Sequence, residues 1–194
     1  MTERGMIFNA EMVRAVLDGS KTQTRRMLTP RQLKMIDTAA AIGECYPLES
    51  GHQHENSQSY YREWCPFGAV GDRLYVREAH SVRVESSEYS PGAVWYRESD
   101  IGRKWEGAIR WTPSIHMPRW ASRITLEITG VRVERLNDIS EDDAKAEGAP
   151  TECCVIGDKH FLGFRSLWRS IYGADSWQAN PWVWVIEFKR VEVE

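Results

Sequence analysis

The run Trp182-Val183-Trp184-Val185-Ile186-Glu187-Phe188-Lys189 constrains the fold more than any other stretch of the chain. On a two-residue period, Trp182, Trp184, Ile186 and Phe188 share one face, while Val183, Val185, Glu187 and Lys189 share the other. Both faces stay largely apolar through Ile186, so the run predicts a strand buried on both sides, like a barrel strand beneath a covering helix. A second long strand is predicted where Ile124, Leu126 and Ile128 alternate with Thr125, Glu127 and Thr129. Gly130 interrupts it as a bulge that bends the strand, and Val131 and Val133 resume the alternation.

Helical spacing marks three further segments. Ala10, Val13, Val16 and Leu17 follow the N-cap Asn9 and end at Gly19. Thr29-Pro30 starts a helix that runs to Gly43, and Phe161, Phe164, Leu167, Trp168 and Ile171 predict a core helix ending at Gly173. Ser140 to Gly148 reads as a short acidic helix, with Ser140 and Asp143 as a capping-box variant. Glu147 stands out there, because a carboxylate in the last turn opposes the helix dipole and wants another reason for its position. Gly71-Asp72 is a turn into a strand from Arg73 to Glu78, and shorter strands are predicted at His80–Glu85, Ala93–Glu98 and Gly107–Trp111. Glu44 to Ala69 shows no periodicity and reads as a long surface insertion.

The 194 residues suit one elaborated domain, and no apolar run approaches membrane-spanning length. The N-terminus lacks the apolar core of a signal peptide, so a cytoplasmic location and reduced thiols at Cys45, Cys65, Cys153 and Cys154 are expected. Cys45, His52, His54 and Cys65 lack the close pair spacing of zinc modules, so neither a metal nor a cofactor is expected. The net charge of −3 is unevenly spread: residues 1–37 carry +3, 103–135 carry +4 and 136–152 carry −5. Basic segments meeting on one face would attract phosphate, whereas solvated faces of separate elements would not.

Chemistry is concentrated in Gly19-Ser20-Lys21-Thr22-Gln23-Thr24-Arg25-Arg26. The fragment is not a phosphate-cradling P-loop, since Ser20 precedes Lys21 and the order is helix then strand. The pattern Leu17-x-Gly19-x-Lys21-Thr22-x-Thr24-x-Arg26 resembles the opening signature of ASCH domains, which are small β-barrels related to the RNA-binding PUA modules. Gly71 to Glu78 and Pro118-Arg119-Trp120-Ala121-Ser122-Arg123 are similar to longer family members of phage or prophage type. The resemblance covers about half of the chain. It implies an α+β class: a single PUA-like mixed β-barrel over 1–194 with flanking helices and insertions near 29–70, 79–118 and 149–160.

One branch of the family deacetylates N4-acetylcytidine through Lys, Thr and Glu at the places of Lys21, Thr24 and Glu147. A Thr hydroxyl needs a base, and a Lys serves only if burial or nearby cations lower its pKa. Arg25 and Arg26 are such cations, Arg26 or a backbone N–H can hold an oxyanion, and Glu147 can protonate a leaving amine. Such an assembly suits amide hydrolysis. By the same resemblance Arg77 and Glu78 border the ligand cleft. Trp111 and Trp120, with Arg119 and Arg123, are candidates for ligand stacking and contact. The expected partner is a nucleoside or RNA, with no membrane. A non-catalytic RNA-binding module and a metal-independent ribonuclease are the alternatives. Oligomeric state has no signature in the sequence.

Overall fold

The computed structural model describes residues 1–82, 94–100, 110–151 and 159–191. Arg103, Trp105, the Cys153-Cys154 pair and most of the expected strand at Gly107–Trp111 lie outside those residues. Chain order is β1 (Glu3–Ile7), α1 (Ala10–Leu17), β2 (Gln23–Met27), α2 (Pro30–Ala41), α3 (Leu48–Gly51), α4 (Glu55–Glu63) and β3 (Arg73–Arg77). Then come β4 (His80–Val82), β5 (Val94–Tyr96), α5 (Arg97–Asp100), β6 (Thr125–Arg135), α6 (Glu141–Ala146), α7 (Lys159–Tyr172), α8 (Asp175–Gln178) and β7 (Trp182–Val191).

The class is mixed α+β, built on one five-stranded sheet of order β1-β3-β6-β7-β2, with β4 and β5 as a separate pair. Only β1 and β3 run parallel; the other ladders of the large sheet are antiparallel. β7 is buried on both faces as its sequence predicts. Trp182, Trp184, Ile186 and Phe188 join the cluster containing Val13, Val16 and Ile36, while Val183 and Val185 join Phe164, Trp168 and Trp177. The register of β6 on β7 shifts between Ile128 and Gly130, which is the expected bulge. A Cβ at Gly130 would come within 2.6 Å of the Glu187 carboxylate, which would have to move aside.

Among the described residues no backbone ladder joins the edge strands β1 and β2. The sheet nevertheless curls until Arg26 of β2 donates from Nη2 to the Ile7 carbonyl at the end of β1, at 3.1 Å. A side chain, not a strand ladder, closes this gap.

Four sequence expectations need correction. β1 was unforeseen, because its pairing with β3 is set by backbone bonds and Met6 is its one buried residue. The expected strand at Ala93–Glu98 stops at Tyr96, and Arg97 and Glu98 turn into α5. α8 also went unrecognised; it carries the buried Trp177 against Phe161 and Phe164. The segment Glu44–Ala69 is not a surface loop: α3 and α4 lie in it, and Leu48 and Tyr61 enter the core. The inward face of α4 hides from periodicity because it is polar. β6 pairs with β3 only over Thr125–Glu127, which leaves its later edge open. Gln58 covers that edge as a strand would, donating to the Val133 carbonyl at 2.7 Å and accepting from the Val133 N–H at 2.9 Å. Arg62 donates to the Val131 carbonyl at 2.9 Å. Open edges need such cover.

Gln58→Ala is therefore expected to strand the buried N–H and carbonyl of Val133, at about 1–3 kcal/mol for each unsatisfied group. Urea unfolding should show a loss of at least about 2 kcal/mol. An unchanged midpoint would mean that α4 is not holding this edge.

Candidate functional site

Lys21 is placed by the end of α1, where its N–H donates to the Ala15 carbonyl at 2.9 Å. It then forms an isolated antiparallel bridge with Glu147, and Thr22 N–H donates to the Ala146 carbonyl at 2.7 Å. Gly148 makes this junction possible. It has φ of +69°, and a Cβ there would lie 2.7 Å from Ala15 Cβ and 3.0 Å from Lys21 Cβ. The end of α6 thus rests directly on the entry to β2.

Lys21 Nζ donates to Glu147 Oε2 at 2.7 Å and to the Glu147 carbonyl at 2.8 Å, with both residues almost fully buried. Arg25 Nη1 reaches the other carboxylate oxygen at 3.1 Å. These two cations are the reason for a carboxylate at the unfavourable end of α6. Arg25 also pairs with Glu134 and lies 3.5 Å from Asp143, and Arg132 binds Glu134, Asp143 and Glu187. Burial works to raise the Asp143 carboxyl, but a hydrogen bond from Gln23 and the charges of Arg25 and Arg132 outweigh it and hold it below its ordinary value. Lys21 moves down from its ordinary 10.5, mainly because burial penalises the ammonium, with Glu147 opposing the shift.

Thr24 is completely buried, and its hydroxyl accepts from Arg26 Nη1 at 2.8 Å. Among the described residues it makes no hydrogen bond to Lys21 or Glu147. Arg26 is half-buried and 5.5 Å from the Phe8 ring centroid, and among the described residues no carboxylate lies within ion-pair distance of it. Among the described residues it is the one cation of the cluster without a carboxylate in direct contact.

Arg25, Arg26 and Glu147 open onto a cavity of about 280 Å³. Phe164, Leu167, Trp168, Ile171 and Tyr172 of α7 form one wall, and Ile7, Asn9 and Met12 face them. These wall residues were not among the sequence candidates, because the apolar face of α7 reads as core. Part of that face is core, but Ile171 remains 42% exposed.

The other candidates lie elsewhere. Arg77 donates to the Ile115 carbonyl. Glu78 is buried in a two-pronged pair with Arg123 at 2.8 and 2.9 Å, and the Arg123 guanidinium also lies 4.1 Å from the Tyr96 ring centroid. Arg119 is likewise paired with Glu3, at 2.6 and 2.7 Å. Trp111 is half-buried, Trp120 is 66% exposed, and neither they nor these charged residues line the cavity. Among the described residues of the basic segments, Arg25, Arg119, Arg123, Arg132 and Arg135 bind carboxylates. Cys45, His52, His54 and Cys65 do not converge either. His52 Nδ1–H donates to the Leu48 carbonyl at 2.9 Å and the ring packs on Trp182, while His54 packs on Tyr46.

No family model matches the chain, and no curated protein matches it. Among solved structures, the chain is similar to the "High resolution crystal structure of ASCH domain from Lactobacillus crispatus JV V101". The two are 13% identical, the match covers 97% of this chain and 79% of that chain, and the TM-score is 0.42. A likeness at that level assigns no activity to this chain. Among the described residues no helix is long and apolar enough to cross a membrane.

Removing one member of a buried ion pair costs about 3–5 kcal/mol. Glu147→Gln, which takes the charged partner from Lys21, should approach that cost in chemical unfolding. Lys21→Met should cost clearly less, because Glu147 keeps Arg25. Equal costs would show that Lys21 and Arg25 do not share this carboxylate.

Proposed function

We propose that the chain is an ASCH domain of the PUA-like superfamily that hydrolyses an acylated exocyclic amine on a nucleobase, with N4-acetylcytidine as the model substrate. The observation that carries this reading is the cavity itself. An apolar, aromatic wall faces a floor holding an unneutralised guanidinium and a carboxylate, and a buried Lys with a lowered pKa lies directly behind that carboxylate. Its volume is near the lower end of the roughly 300–1,000 Å³ of small-molecule sites, which suits a single base.

The buried Lys21–Glu147 pair can pass one proton between its members. The chemistry requires Thr24, which bonds Arg26 and lies outside the cavity lining in this structure, to turn its hydroxyl toward Lys21 and the cavity; with the proton on Glu147, neutral Lys21 then takes the Thr24 proton as Oγ attacks the acyl carbon. Arg26 holds the oxyanion. Collapse breaks the C–N bond, and Glu147 protonates the departing amine. Water then attacks the Thr24 ester, giving its proton to Glu147, while Lys21 returns a proton to Thr24 Oγ. Acetate leaves and the starting protonation is restored.

The paired guanidiniums weigh against the alternatives of an RNA-binding module and a metal-independent ribonuclease, since phosphate binding would have to displace carboxylates.

Purified protein should release acetate from N4-acetylcytidine. Thr24→Ser should retain turnover while Thr24→Val abolishes it, and Arg26→Met should lower kcat by about 10²–10³. The pH profile should be bell-shaped and fall at high pH, because the Lys21–Glu147 pair must hold one shared proton, with Lys21 neutral as base and Glu147 protonated for the leaving amine. If Thr24→Val stays active, the nucleophile is misassigned. No acetate release together with steeply salt-dependent RNA binding would favour the binding module.

A further inference from the structure

Arg26 has donors to spare. A guanidinium carries five N–H groups, and three of those of Arg26 are used: Nη1 donates to Thr24 Oγ1 at 2.8 Å and to the Arg25 carbonyl at 2.9 Å, and Nη2 to the Ile7 carbonyl at 3.1 Å. The Nε–H and the second Nη2–H bond nothing among the described residues. Unlike the enclosed Nε atoms of Arg73 and Arg77, Nε of Arg26 is not shut off from solvent. Nε and Nη2 are the nitrogens with which Arg119 grips both oxygens of Glu3, and Arg123 both oxygens of Glu78. On Arg26, which lines the cavity, the same two nitrogens have no carboxylate among the described residues. Burial pulls this guanidinium below its ordinary value, with Tyr172 and Glu147 acting the other way, and charge held in an apolar setting calls for a counter-charge. Glu147 on the same floor does not supply it in direct contact, because its two oxygens are taken by Lys21 at 2.7 Å and Arg25 at 3.1 Å.

We infer that the cavity is a carboxylate site, in which Arg26 takes both oxygens of a small acid through Nε–H and Nη2–H while the apolar body of the acid lies on Phe164, Leu167 and Trp168 of α7. A two-pronged, charge-assisted pair is stronger and more demanding in geometry than a bond to one neutral oxygen. The site itself stands on the cavity and on the unused donors of Arg26. Its regulatory consequence rests on the hydrolysis proposed above: the acid released by deacylation is itself a ligand of Arg26, the group that holds the oxyanion, so product acid competes with the next substrate.

Benzoate and benzamide test this, being alike in shape and unlike in charge. By calorimetry near neutral pH the wild-type protein should bind benzoate at least about tenfold more tightly than benzamide, the worth of hydrogen bonds to a charged acceptor. The Arg26 Nε–H resonance, identified by its loss in Arg26→Lys, should move downfield with benzoate and stay in place with benzamide. Arg26→Lys keeps the charge but loses the fork, and should bind benzoate less tightly than the wild type. Equal wild-type affinities for the two probes, no binding of benzoate, or an unmoved resonance would overturn the carboxylate site. Turnover separates this site from the hydrolase. Benzoate binding at Arg26 with no acetate release from N4-acetylcytidine keeps the site and removes the hydrolase, whereas acetate release that benzoate does not inhibit keeps the hydrolase and overturns the site. The affinity comparison uses wild-type protein alone, so a folding defect in Arg26→Lys leaves the test decisive.

Discussion

The contact between Lys21 and Glu147 is the interaction on which the rest of the structure depends. It joins the start of β2 to the end of α6, and both groups give up their hydration to make it. Burying two charges is expensive, and it succeeds only where geometry is good and the remaining hydrogen-bonding capacity is used. Here the ammonium also binds the Glu147 carbonyl, and the carboxylate also binds Arg25. Arg25 in turn reaches Glu134 and Asp143, so charge is matched outward along β2, β6 and α6. A fold seeking stability alone would do as well with apolar residues at these places. Charge retained beside a cavity has a chemical reading that charge buried in a core lacks.

The same network fixes Arg26. Its guanidinium is spread over the Thr24 hydroxyl, the Arg25 carbonyl and the Ile7 carbonyl, which ties both edges of the curled sheet to one side chain. None of those acceptors carries a full charge, so the cation stays available to an electron-rich ligand atom. α7 completes the site from the opposite side, with Phe164 and Trp168 anchored against Trp177 and the inner face of β7. Binding and folding therefore share residues, and a variant that loses function must be checked for stability before it is read as chemical.

Much of this was legible because local chemistry was in conflict or in excess. The closing strand showed two apolar faces and so demanded two covering layers. Glu147 opposed its own helix dipole and so demanded a cationic partner. Thr24 and Arg26, two apart on one strand, share a face as alternation requires. What stayed hidden depends on partners far along the chain. Arg119 and Arg123 look like free cations until Glu3 and Glu78 reach them, from 116 and 45 residues away. The polar face of α4 meets backbone and not side chains, so no hydrophobic period could reveal it. The cavity wall on α7 has the same composition as core, so the sequence could not tell the two apart.

The central claim is that burial poises Lys21 to lose its proton more readily than an ordinary lysine, despite the carboxylate it touches. Titration of the Lys21 side chain by heteronuclear NMR tests this directly, with Glu147→Gln alongside. The account predicts a wild-type value below the ordinary 10.5 and a lower one still once Glu147 loses its charge, because desolvation then acts unopposed. A Lys21 that titrates at or above 10.5 in the folded wild-type protein would contradict it: the pair would then be a permanently charged clamp, and Lys21 could not be the base.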